Sequence, residues 1–160
     1  MDTENKLRVL VKIARMFNQA DITWAVGGSM LLYFHNITKE FHDIDIMVLD
    51  SDAEAVKALL LTLGTLEPPK ASVKFKSKAF YEFTIDGVDV DVMAGFVIVQ
   101  DGKEHDCSLQ GNEITDFIQL QNERIPLHTI AAWRRNYIFM GKPDTVRLID
   151  SITKKPKGCI

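Results

Sequence analysis

The sequence has few cysteines and no long run of apolar residues. Only Cys107 and Cys159 occur in 160 residues, and they are far apart and lack the spacing of a metal site, which argues against a disulfide framework or a zinc domain. No stretch approaches the roughly 20 apolar residues of a membrane-spanning helix, and residues 1–6 have no apolar signal-peptide core. We therefore expect two free thiols and a cytoplasmic protein with no membrane association.

The sequence also lacks a strong excess of charge. With 19 Lys and Arg against 22 Asp and Glu, the formal net charge is −3, so nothing global indicates a nucleic-acid-binding or polybasic membrane-binding protein. A local basic cleft stays compatible with this charge. The hydrophobic fraction of 46% and the chain length suit one domain with a substantial core. We expect a single domain over residues 1–153 and a flexible tail over residues 154–160.

Apolar residues recur at spacings that alternate between helical and extended patterns. They predict helices over residues 5–19, 28–35, 53–63, 128–140 and 143–152, strands over 22–26, 44–49, 81–85 and 88–92, and a strand pair within 117–127. Asp86-Gly87, between two of these strands, is a strong signal for a two-residue hairpin turn. A turn there sets the register of the hairpin, and it places Glu82 opposite Asp91.

Residues 24–48 contain the pattern most typical of a binding site. A short apolar strand leads into Gly27, Gly28 and Ser29, where glycines allow backbone N–H groups to approach a phosphate and the following helix favours negative charge. Asp43 and Asp45 then lie two residues apart on the second strand and so share one face. Two adjacent carboxylates repel each other unless a cation lies between them, and oxygen ligands suit Mg²⁺. The stretch predicts a site for a metal–nucleotide complex.

The predicted hairpin carries a second group of acids on one face. Glu82 opposes Asp91, with Asp89 two residues away, and like charges in these positions are destabilising unless a metal or a lysine offsets them. If the hairpin lies beside the strand of Asp43 and Asp45, three or more carboxylates converge. That is the arrangement required for two-metal phosphoryl or nucleotidyl transfer.

Each motif has an ordinary structural interpretation when taken alone. The Gly-Gly-Ser segment suits a tight strand–helix turn, and the acidic segments suit the solvated faces of strands. Lys74, Lys76 and Lys78 alternate with apolar residues and indicate either a solvated strand face or a basic strip for phosphates or an RNA acceptor. The order and spacing of the turn, the acid pair and the later acidic strand favour the functional interpretation.

In this order of motifs the sequence resembles the nucleotidyltransferase superfamily of DNA polymerase beta. It is most similar to small bacterial and archaeal members, including antibiotic and toxin-type nucleotidyltransferases. The resemblance rests on residues 26–29, 43–46 and 85–93 and extends over about residues 5–150. Gly141-Lys142-Pro143, before the last predicted helix, is also similar. It implies an α/β (α+β) nucleotidyltransferase fold with a mixed, mainly antiparallel sheet flanked by helices.

The resemblance also implies roles for the phosphate-binding residues. Gly27, Gly28 and Ser29 would hold the triphosphate of the nucleotide. Relatives often carry an arginine shortly before the acid pair, and Lys39 stands at about that place in this sequence. A lysine can still act as a point charge toward a phosphate.

For the carboxylates, the resemblance implies that Asp43 and Asp45 bind two Mg²⁺ ions and that a third acid binds the catalytic ion. Asp89 and Asp91 face the same way, so position alone does not choose between them, and the resemblance favours Asp91. The predicted catalytic and metal-binding set is therefore Asp43, Asp45 and Asp91. Asp89 or Glu82 would be a general base for the acceptor hydroxyl.

The function implied is transfer of a nucleoside monophosphate, expected to be AMP, from an NTP to a hydroxyl on a small molecule, protein or RNA, with release of pyrophosphate. We expect acceptor choice to depend on residues 95–160 or on a second subunit, in a homodimer or with a partner protein. Two alternatives stay open at this point. One is a non-catalytic nucleotide-binding or antitoxin-type module that binds a partner, and the other is a metal-dependent phosphoesterase.

Overall fold

The computed structural model describes residues 3–153, which form five α-helices and nine β-strands. The helices are α1 (Thr3–Gln19), α2 (Gly28–Phe34), α3 (Ala53–Leu61), α4 (Ile130–Phe139) and α5 (Pro143–Thr153). The strands are β1 (Trp24–Gly27), β2 (Ile44–Val48), β3 (Thr65–Leu66), β4 (Ala79–Ile85), β5 (Val88–Ala94), β6 (Val97–Gln100), β7 (Lys103–Asp106), β8 (Ile114–Leu120) and β9 (Glu123–His128). The predicted tail over 154–160, with Cys159, lies outside the described residues.

Seven of these strands form one sheet in the order β3-β4-β5-β2-β1-β9-β8, and β6 and β7 form a separate hairpin. Within the seven-stranded sheet, β2 pairs with β5 and β1 with β9 in parallel, whereas the other four pairs are antiparallel. The expected mixed, mainly antiparallel sheet with flanking helices is therefore confirmed. No helix within residues 3–153 combines the length and apolar character needed to cross a bilayer.

The β4–β5 hairpin has the predicted register. Glu82 pairs with Asp91 across the two strands, and Thr84 pairs with Asp89. Asp86 has a φ of +50° and the following glycine a φ of +77°, the left-handed conformations of a type I′ turn. Because this turn admits only one pairing of the strands, three acids necessarily share one face of the hairpin.

Helix α1 covers the sheet and supplies much of the core. Leu10, Ile13 and Phe17 recur at helical spacing and are fully buried, and each such side chain contributes about 1.5–3 kcal/mol by leaving water. Phe17 meets the ring of Trp24 edge to face at 5.4 Å. The indole N–H of Trp24 donates to Asn18 Oδ1 at 3.1 Å. The apolar side of β1 is thereby fixed, which holds the turn that follows it.

Differences from the sequence-based elements occur where pairing is short or distant. Strand β3 has two residues and pairs with β4, and two residues are too few to show a periodic pattern in the sequence. Strand β1 begins at Trp24 instead of residue 22, and β8 begins at Ile114, before the predicted pair within 117–127. Cys107 is a buried free thiol, as expected.

Candidate active site

Strands β2 and β5 bring the two predicted acidic segments together. They run in parallel with Asp45 directly beside Asp91, and neighbouring strands lie about 4.8 Å apart. Asp43 precedes β2 by one residue and faces the same cavity of about 270 Å³. We call this space the carboxylate cavity. Its polar walls come from Ser29, His42, Asp43, Asp45, Asp91 and Lys142.

The glycine turn lies against the same acids. Gly27 ends β1 as the antiparallel partner of Asp45. Gly28 has a φ of +61°, and a Cβ added there would lie 1.9 Å from Asp45 Oδ2. Glycine is thus required both for the left-handed backbone and for the space that the Asp45 carboxylate occupies.

Ser29 connects the turn to the loop before β2. Its Oγ accepts a hydrogen bond from the backbone N–H of His42 at 3.2 Å, and both residues line the carboxylate cavity. Lys39, predicted to reach a phosphate, is exposed on the same loop, outside the wall of this cavity. The structure therefore brings Gly27, Gly28 and Ser29 to the acids but leaves Lys39 at the surface.

The acids of the cavity raise one another's pKa values. Burial, followed by the charges of Asp91 and Asp43, raises the pKa of Asp45 to about 8. Burial, followed by the charges of Asp43 and Glu82, raises the pKa of Asp91 to about 7. The pKa of Asp43 is also raised, by burial and then by Asp89. Without a cation, the site therefore does not hold all its negative charges at neutral pH.

The donor set fits Mg²⁺. All three acids offer hard carboxylate oxygens, and Mg²⁺ is usually held by one or two carboxylates together with substrate phosphates and waters. Within residues 3–153, no group of three or more His, Cys, Asp or Glu side chains is arranged to hold a metal ion. A Mg²⁺ ion at the acids would need phosphate oxygens and waters among its ligands.

A second cavity of about 290 Å³ lies on the β4 side of the acids. We call it the acidic cavity because Asp43, Glu67, Glu82, Asp89 and Asp91 line it. Lys70 lies 3.7 Å from Glu82 and offsets part of the repulsion across the hairpin, although both side chains are exposed enough to keep that contribution small. An acceptor hydroxyl in this cavity would lie near two carboxylates, Glu82 and Asp89, that are outside the expected metal-binding set.

Helix α4 and the residues after it form the opposite wall, and this wall contributes a cation that the sequence analysis did not assign. Gly141, with a φ of +72°, ends the helix while the N–H of Lys142 donates to the carbonyl of Tyr137 at 3.0 Å, as in a Schellman motif. Lys142 then lines the carboxylate cavity, and its charge lowers the pKa of Asp45 against the other effects. The Gly-Lys-Pro sequence at the end of this helix was the sequence signal that could have identified Lys142.

Trp133 is held against the glycine turn by a buried hydrogen-bond chain. Its indole N–H donates to Nδ1 of His128 at 3.0 Å, and Nε2 of His128 lies 3.1 Å from Glu113 Oε1. Burial lowers the pKa of His128, so the neutral ring accepts from Trp133 and donates to Glu113. A Cβ at Gly27 would lie 2.3 Å from the indole. The sequence analysis placed both His128 and Trp133 in a helix over 128–140, whereas β9 ends at His128 and α4 begins at Ile130.

Two of the three lysines in residues 74–78 have acidic partners outside the site. Lys76 lies 3.7 Å from Glu104 and Lys78 lies 3.3 Å from Asp50. These pairs favour the solvated-face interpretation over a phosphate-binding strip.

The comparison with known families decides the class. The sequence model of the aminoglycoside-2″-adenylyltransferase family matches residues 9–150. The chain belongs to this family. It is therefore a nucleotidyltransferase, and the non-catalytic module and the phosphoesterase considered from the sequence are set aside. No curated protein sequence is significantly similar to this family member.

Solved structures share the fold of this adenylyltransferase-family chain. A candidate nucleotidyltransferase from Thermotoga maritima, TM1012, has a TM-score of 0.73 at 23% identity, and the alignment covers 98% of this chain and 97% of the TM1012 chain. ANT(2″)-Ia in complex with adenylyl-2″-tobramycin has a TM-score of 0.64 at 11% identity, covering 92% and 88%. Lincomycin-bound LnuA has a TM-score of 0.58 at 13% identity, covering 94% and 98%. These likenesses support the nucleotidyltransferase fold.

Proposed function

We propose that the protein transfers AMP from ATP, with Mg²⁺, to a hydroxyl group of a small-molecule acceptor and releases pyrophosphate. The observation that carries the proposal is the register of β2 and β5, which sets Asp45 beside Asp91, directly opposite the Gly27 end of β1. A polyphosphate and its cations would meet the carboxylates and the backbone of the glycine turn at one point.

In this proposal Asp43, Asp45 and Asp91 hold the Mg²⁺ ions. When bound, these ions neutralise charge on the transferred phosphate and on the pyrophosphate. Gly27, Gly28 and Ser29 orient the triphosphate on one side of the acids. Lys142 provides the positive charge that sequence reasoning had assigned to Lys39, because its charge already acts on Asp45.

The reaction itself requires an acceptor oxygen, a leaving group and a proton acceptor. The acceptor oxygen forms a bond to the α-phosphorus, while the bond from that phosphorus to the pyrophosphate oxygen breaks. The proton of the acceptor hydroxyl passes to a carboxylate of the acidic cavity, Glu82 or Asp89. Most of the rate enhancement comes from positioning and electrostatic stabilisation.

A labelling experiment tests the proposal. The protein is incubated with α-labelled ATP, Mg²⁺ and a panel of hydroxylated compounds that includes aminoglycosides, lincosamides and aryl alcohols. We expect labelled acceptor and an equal amount of pyrophosphate. Asp45→Asn and Asp91→Asn should each lower the rate by at least about a hundredfold, whereas Asp116→Asn, on the exposed face of β8, should not. Full activity in Asp45→Asn, or orthophosphate in place of pyrophosphate, would contradict the mechanism.

A further inference from the structure

A third and larger space lies beside the acidic cavity. It has a volume of about 510 Å³, within the range of small-molecule sites. We call it the aromatic pocket because Phe75, Phe80 and Tyr81 line it, together with Pro68 and Pro69. None of the motifs in the sequence analysis accounts for this pocket.

The walls of the aromatic pocket are already fixed without a ligand. The loop over residues 67–78 is tied to its neighbours at both ends, since the N–H of Glu67 donates to the carbonyl of Glu82 at 2.8 Å and the N–H of Lys76 donates to the carbonyl of Val97 at 3.0 Å. Phe75 stacks on Phe80 with ring centroids 5.8 Å apart. A preformed apolar pocket loses little entropy when it binds a ligand.

The order of strands places this pocket on the acceptor side of the reaction. From β1 to β4 the sheet presents the glycine turn, then Asp45, then Asp91, then Glu82. The attacking and leaving oxygens in phosphoryl transfer are roughly in line. With the pyrophosphate at the glycine turn, the acceptor oxygen therefore approaches from the β4 side.

Shared residues connect the aromatic pocket to the chemistry. Glu82 lines both the acidic cavity and the aromatic pocket, and Phe75 and Phe80 line both the carboxylate cavity and the aromatic pocket. A molecule whose hydroxyl lies near Asp91 would therefore have its body in the aromatic pocket.

The aromatic pocket itself has no net charge that would attract a polycation. Its charged lining residues in the described chain are Lys57, Lys70, Glu67 and Glu82, which balance each other. Lys57 lies over the ring of Tyr81 at 5.7 Å, and Thr84 donates its hydroxyl proton to Glu67 at 2.9 Å. A neutral, planar apolar group is the best complement to such a surface.

We propose that the aromatic pocket is the acceptor subsite and that the acceptor is a neutral alcohol with an aromatic group next to its hydroxyl. The inference rests on the proposed function. From the sequence we expected acceptor choice to depend on residues 95–160 or on a second subunit, whereas this inference assigns it to residues 66–82. The transferred AMP would be attached to that hydroxyl, with pyrophosphate leaving toward the glycine turn.

The test fills the aromatic pocket without touching the core. Ala71 lines the pocket and is exposed, so Ala71→Trp places a ring inside it. Val73, two residues along the same loop, is 92% exposed and lies outside the pocket lining, so Val73→Trp is the matched control. The probe is 2-naphthylmethanol, followed by its fluorescence in the presence of Mg²⁺ and a non-hydrolysable ATP analogue.

We expect the naphthyl alcohol to bind the wild type and Val73→Trp equally, and Ala71→Trp to bind it at least about tenfold more weakly. Affinity for the ATP analogue should be the same in all three proteins. Absence of binding to the wild type, equal binding to Ala71→Trp, or a loss of ATP-analogue affinity in Ala71→Trp would overturn the assignment.

Turnover with α-labelled ATP separates this inference from the proposed function. Binding of the alcohol that is lost in Ala71→Trp, but with no transfer to any acceptor, would support the subsite and contradict the proposed activity. Transfer to 2-naphthylmethanol at the wild-type rate in Ala71→Trp would support the activity and overturn the subsite.

Discussion

Replacing Gly28 with alanine tests whether the glycine turn and the acids act as one unit. The new Cβ would lie 1.9 Å from Asp45 Oδ2, whereas ordinary contact begins at 3.4 Å, a shortfall of roughly 1.5 Å. The left-handed φ of +61° adds a conformational cost of about 1–2 kcal/mol for any residue with a side chain. The carboxylate, a metal ligand in our proposal, must therefore move.

The expected result follows from that displacement. A misplacement of about 1 Å at a catalytic group costs on the order of a hundredfold in rate, which corresponds to about 2.7 kcal/mol of transition-state stabilisation. We therefore expect Gly28→Ala to lower kcat/KM by at least that factor and to weaken Mg²⁺ binding, measured by steady-state adenylylation and by calorimetric titration.

A second glycine provides the control. Gly102, in the β6–β7 turn, has a φ of +77°, and a Cβ added there would meet no atom of residues 3–153 within 4 Å. Gly102→Ala should therefore lose about 1–2 kcal/mol of unfolding free energy from strain alone and keep its activity. If Gly28→Ala had the same kcat/KM as Gly102→Ala, the argument that the turn and Asp45 occupy one shared space would be refuted.

Three other predictions follow from the charges and hydrogen bonds of the site. In EDTA, the raised pKa values of Asp45 and Asp91 mean that the folded state holds more protons than the unfolded chain between about pH 4 and pH 8. The wild type should therefore lose stability as the pH rises through this window. Asp45→Asn should melt at a higher temperature than the wild type at pH 8 but not at pH 4. If the melting temperatures of the two proteins changed with pH in the same way, the raised pKa of Asp45 would be contradicted. His128→Phe leaves the buried indole N–H of Trp133 without its acceptor and should lower the free energy of unfolding by about 1–3 kcal/mol in chemical denaturation. The same substitution should have a smaller effect in a protein that already carries Trp133→Phe. Lys142→Met should raise the KM for ATP by about tenfold, while Lys103→Met, on exposed β7, should leave it unchanged.

The parts of the site that follow from local rules could be predicted from the sequence. Asp86-Gly87 admits a two-residue turn of one type, so the pairing of Glu82 with Asp91 followed from counting residues along the hairpin. The side of β2 occupied by Asp45 followed from the alternation of side chains along a strand. The sequence did not predict that β2 and β5 are neighbours, and the convergence of their acids was stated only for the case that they are. A parallel pair joins segments that are distant in the chain, so no local pattern specifies it.

The parts of the site that depend on packing between distant elements could not be predicted. Lys142 reaches the carboxylate cavity only because α4 ends where it does and packs beside the acids. Lys39 had the expected position in the sequence, but the loop that carries it places it at the surface. The aromatic pocket is formed by a loop whose residues have no repeating pattern.

The candidate site is divided among strands that are neighbours only in the finished sheet. Gly27 comes from β1, Asp45 from β2 and Asp91 from β5, so partly folded forms in which these strands have separated have no place for a nucleotide. A ligand that binds only the complete sheet stabilises all of it, by about 2.7 kcal/mol at a hundred times its Kd. Thermal-shift screening should therefore detect nucleotides and acceptors as a shift of the main unfolding transition.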